Sequence, residues 1–143
     1  MRVIAPLGRR LRYLLLKETG AVTVEGVLWV PIYGVFFALI VDVSLMFNGQ
    51  SQMRRIVQDV NRLASNGYLA RTPAEIEVAS ETRALASLQH LSSNAVVETI
   101  VDDDLKIVTT VATIPSSDLQ ATGILAVFGG MNIVVTAYHV MES

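Results

Sequence analysis

From Ala21 to Phe47 the chain reads AVTVEGVLWVPIYGVFFALIVDVSLMF, twenty-seven residues interrupted by only two charges, Glu25 and Asp42. As a helix this run measures about 40 Å, more than the roughly 30 Å of a bilayer's hydrocarbon core. A single segment in lipid must satisfy its own backbone hydrogen bonds, which a helix does. The expectation is therefore one transmembrane helix over residues 21–47. The same run explains a composition, 52% apolar residues with a mean hydropathy of +0.49, that is high for a soluble domain.

Charge sets the orientation. Arg2, Arg9, Arg10, Arg12 and Lys17 place five of the eleven cations before the apolar run, whereas from Glu18 onward six cations face thirteen acids. By the positive-inside rule the basic leader, residues 1–20, stays in the cytoplasm and the acidic remainder is exported. A cleaved secretory signal has a shorter apolar run that ends in small residues, and this one does neither. A nucleic-acid arm is the other use of a basic tail, but these cations stand where a membrane orientation signal is expected, so no nucleic-acid partner is implied.

Beyond the membrane, Met53, Ile56, Val57, Val60, Leu63 and Ala64 recur at spacings of three and four among polar residues. This predicts an amphipathic extension of the first helix over 48–65, stopped by Asn66-Gly67. Thr72-Pro73-Ala74-Glu75 reads as a second helix start, with Thr72 as N-cap and Glu75 closing a capping box; Ile76, Ala79, Leu85 and Leu88 supply its inner face, and it ends near Leu91. Two runs rich in Val, Ile and Thr, residues 95–101 and 105–114, flank Asp102-Asp103-Asp104 and predict a hairpin whose imperfect alternation leaves the register open. Ser117 and Gln120 suggest a short helix through Phe128 closed by Gly129-Gly130, and residues 131–140 a last strand. The expected fold is α+β: a long N-terminal transmembrane helix, then an extracytoplasmic domain over 66–143 with about two helices and a three-stranded antiparallel sheet.

The junction KETGAVTVEGVLWVP resembles the processing site of type IV pilin precursors, with a basic leader ending in Gly20, a mature helix starting at Ala21 and a glutamate, Glu25, at its fifth position. Within that group the spacing of Glu25, Pro31 and Asp42 is similar to that of the TadE/TadG-like pseudopilins of tight-adherence (Tad, Flp-type) pili. Gly26 departs from the family, which often has an aromatic there, and the short chain disfavours the larger members with an adhesion-like domain. The resemblance implies cleavage after Gly20 by a prepilin peptidase. It also implies assembly through Glu25, Pro31 and Asp42 with other pilins or pseudopilins and the pilus assembly platform.

In that reading Glu25 neutralises the new α-amine of Ala21 on a neighbouring subunit, since a carboxylate among apolar residues needs such a partner. Asp42, about 25 Å further along the helix, falls at the outer interface, where an acid needs no special explanation. Pro31 removes a backbone hydrogen bond and offers a site of local unwinding. Gly26, Gly34 and Ala38 give small surfaces for close helix approach.

No catalytic constellation is legible. The chain has no cysteine, and His90 and His139 lack any metal-binding or triad spacing, so both read as surface or packing residues. Asp102 to Asp104 read as a solvated turn rather than a calcium loop. The expectation is a non-enzymatic minor pilin or pseudopilin that needs no cofactor or metal. The alternative is an uncleaved single-pass protein whose outer domain binds an envelope or secretion component.

Overall fold

A computed structural model describes residues 19–125 and 130–141; the basic leader before Thr19 lies outside the described residues. The chain forms two compact units, residues 1–37 and 38–143. Helix α1 spans Thr19–Ser65 and continues through Pro31 without interruption. It contains a stretch long and apolar enough to cross a membrane. In the first unit every described side chain from Thr23 to Phe37 is exposed, and the rings of Trp29 and Tyr33 stack at 5.8 Å between centroids.

The second unit is α+β. Its amphipathic part of α1 is followed by α2 (Pro73–Leu88), then strands β1 (Val96–Asp102), β2 (Ile107–Pro115) and β3 (Asn132–Val140). The sheet is antiparallel in the order β1-β2-β3. Pairing Val97 with Ala112 and Ala112 with Val135 sets the register that the sequence left open. Val108, Thr110, Ala112 and Ile114 then share one buried face of β2, as a two-residue period requires.

Both helices supply the core. Met53, Val57 and Val60 of α1 join Ala84 and Leu88 of α2, Val97, Ala112, Ile114 and Val135 of the sheet, and Leu119. The amphipathic half of α1 is thus one wall of the domain, and the compact unit takes in residues from Ala38 onward. Helix α1 ends as Asn66-Gly67 suggests: Gly67 is left-handed at φ 70°, the Tyr68 N–H donates to the Leu63 carbonyl, and the Gly67 N–H to that of Ala64. That pair of bonds is a Schellman stop.

Three local expectations change. Thr72 occupies the N-cap of α2, but its side chain makes no capping bond, so the capping box is not formed and Pro73 alone marks the start. The buried stripe of α2 is Ile76, Ser80, Ala84 and Leu88; Leu85 is exposed. Small side chains at 80 and 84 let the helix lie close to its neighbours, which apolarity alone does not reveal. After Pro115 the chain forms a 3-10 turn, Ser116–Leu119, Gln120 is already extended at φ −98°, ψ 151°, and 3-10 geometry resumes at Ile124 and Leu125. The expected helix over 117–128 therefore breaks at Gln120, and its final residues, 126–128, lie outside the described residues.

Helix α2 also closes one edge of the sheet. Glu81 accepts from the Thr99 N–H at 2.9 Å and Glu77 from the Val101 N–H at 3.0 Å. Carboxylates four residues apart on a helix rise about 6 Å, close to the two-residue repeat of a strand, so both reach free donors of β1. An otherwise open edge is occupied.

Candidate functional site

Residues of the first unit are positioned by α1 alone. Gly20 and Ala21 fall in its first turns, Glu25 and Pro31 are exposed along it, and a Cβ on Gly26 or Gly34 would meet nothing within 4 Å. Glu25, Gly26, Pro31 and Gly34 thus lie on an open helical surface among the described residues.

Asp42 is different. It is fully buried, and its two carboxylate oxygens collect a set of donors from one loop. Oδ1 accepts from the N–H groups of Ala121 at 3.0 Å and Thr122 at 2.8 Å. Oδ2 accepts from Thr122 Oγ1 at 2.6 Å and the Ile124 N–H at 3.2 Å. Gly123, left-handed at φ 71°, turns the chain so that successive N–H groups converge, the concave arrangement that backbones use to hold anions. Asp42 is thus a clamp between α1 and the turn over 121–124.

Two further polar clusters hold the same unit and escaped sequence reasoning. Asn61, buried among apolar residues of α1, donates to the Ala137 carbonyl at 2.7 Å and accepts from Thr110 Oγ1 at 2.6 Å, while Thr110 meets Thr99 Oγ1 at 3.0 Å. One side chain ties α1 to β2 and β3. Asp118 accepts from Ser92 Oγ and from Asn94 Nδ2 at 3.0 Å, linking the α2–β1 loop to the 3-10 turn. The Ser92 bond, then the Asn94 bond, holds its carboxyl below the usual carboxylate range.

The signals for Asp42 were its place in an apolar stretch and its spacing from Glu25 and Pro31. For Asn61 the signal was one amide on the buried face of an amphipathic helix. None of these says where the partner lies in the chain.

Fold and clamp define a class: a small α+β domain built onto the second half of a long helix whose first half is apolar and exposed. Residues 20–62 match the family model of TadE-like proteins, in agreement with the resemblance carried by Glu25, Pro31 and Asp42. No curated protein and no solved structure matches the chain.

Proposed function

We propose that this protein is a minor pilin or pseudopilin of a Tad/Flp-type pilus, held in the inner membrane by α1 with its leader in the cytoplasm and its α+β domain outside. It is cut after Gly20 by a prepilin peptidase and acts by assembly, with no catalysis of its own. The observation that carries this reading is the TadE-like match over 20–62, which spans the Gly20-Ala21 junction and Glu25 together. The exposure of Glu25 and the open surface at Gly26 and Gly34 support it, because a subunit that packs through its first helix needs that face free.

Within this reading Glu25 pairs with the α-amine of Ala21 on the next subunit and sets the axial register, since an unpaired charge there is unfavourable in an apolar setting. Asp42 contributes by fixing the 121–124 turn, leaving the intersubunit pairing to Glu25. The test is co-expression with the prepilin peptidase of the same system. The mature chain should begin at Ala21 by mass, a bulky replacement at Gly20 should leave the precursor uncut, and Glu25→Ala should be cut but fail to co-assemble. A wild-type chain that is never cut overturns the pseudopilin reading, and normal pilus output from Glu25→Ala overturns the pairing.

A further inference from the structure

The apolar run of α1 is longer than lipid requires. Residues 21–47 rise about 40 Å against about 30 Å of hydrocarbon, a surplus of about seven residues; with about two of these at the cytoplasmic end, Val43 to Phe47 reach into the outer headgroup layer. In the second unit that surplus is continued by another surface. Val43, Met46 and Phe47 border a groove of about 560 Å³ whose other wall includes Leu125, Met131 and Ile133, and no charged residue lines it. Phe47 is 65% exposed and Met131 53%.

The absence of charge extends well beyond the groove: residues 43–53 and 119–141 contain no Asp, Glu, Lys or Arg. The one acid at this level, Asp42, is buried and receives four hydrogen bonds. A carboxylate facing water has no need of such cover, whereas one at a lipid boundary does. The same bonds hold the turn over 121–124 against residue 42 of the helix, on which Ile40, Val41 and Leu45 are exposed and apolar.

We propose that this face, Val43, Met46 and Phe47 with Leu125, Met131 and Ile133, lies in the interfacial layer of the bilayer and contacts lipid acyl chains. The domain then has two membrane contacts, the helix and a monotopic patch continuous with it. The proposal rests on the reading of α1 as membrane-spanning. Its consequence is a domain held at the membrane in one orientation, so that assembly partners meet a defined face.

The native chain has no cysteine, so single cysteines can be placed cleanly. The full-length protein, reconstituted in phosphatidylcholine–phosphatidylglycerol vesicles, is spin-labelled at Met131→Cys, Leu125→Cys, Phe36→Cys and Tyr68→Cys. Collision with molecular oxygen, which partitions into lipid, is compared with collision with a water-soluble nickel chelate. Met131 and Tyr68 are exposed, so their replacement leaves the core intact. The expected result is an oxygen-to-nickel ratio at 131 and 125 resembling that at 36 and several-fold above that at 68. Water-like labels at 131 and 125 with a lipid-like label at 36 overturn the patch and leave the anchor standing. A water-like label at 36 overturns the anchor and the patch with it. Shielding of 131 and 125 from both reagents marks a protein partner, a second copy included, and overturns the lipid assignment.

Discussion

A fragment beginning at Asn66 keeps α2, all three strands and every turn between them, yet it is expected not to fold. What it loses is one wall of the core. Met53, Val57 and Val60 are 0%, 0% and 2% exposed, and full burial of such side chains stabilises by about 1.5–3 kcal/mol each, or about 5–9 kcal/mol for the three. The Asn61 bonds to Ala137 and Thr110 go with them, at about 1 kcal/mol each. Small domains are stable by only about 5–15 kcal/mol in total, so the deletion removes most or all of the margin. A fragment beginning at Asn48 retains that wall and should unfold cooperatively in urea, followed by circular dichroism, and show a dispersed amide spectrum. Within it, Met53→Ala should cost about 2–5 kcal/mol. If the fragment from Asn66 unfolds cooperatively at a urea midpoint close to that of the longer one, the helix wall contributes little and the reasoning fails.

Asn61→Ala removes the amide's bonds to the Ala137 carbonyl and the Thr110 hydroxyl in a buried site and should lower stability by about 2–4 kcal/mol in urea titration; adding Thr110→Val should recover little of that loss, because the buried Thr99 hydroxyl then loses its bond to Thr110. Asp118 has a depressed carboxyl pKa in the folded state, so its contribution is present above the ordinary carboxylate value of 3.8 and is lost as pH falls below it; thermal melts of Asp118→Asn should show a weaker acid dependence there than wild type. Asp42→Ala should speed hydrogen exchange at Ala121, Thr122 and Ile124 while leaving the amides of β1 and β2 unchanged, a pattern read directly by mass spectrometry or NMR. Gly49→Val should destabilise, since a Cβ there already comes within 2.8 Å of the Leu119 side chain, and a melting temperature equal to that of wild type would contradict this.

Sequence alone determined the features that depend on local pattern. The apolar run, the amphipathic spacing from Met53 to Ala64, the stop at Asn66-Gly67 and the three β-rich runs each encode their element within a few neighbouring residues, and all appear in the structure. The α+β class followed from them. Tertiary structure decided what depends on distant partners. Register came from which residues of β1, β2 and β3 meet, and the buried stripe of α2 from how closely Ser80 and Ala84 let it approach its neighbours. The segment after Ser117 carried local helix signals, yet the chain turns away at Gln120. Eighty residues of sequence separate Asp42 from Thr122, whose backbone and hydroxyl it binds. Local propensity there is worth a few tenths of a kcal/mol per residue, less than the hydrogen bonds that satisfy a buried carboxylate, so a partner invisible in the neighbouring sequence set the conformation.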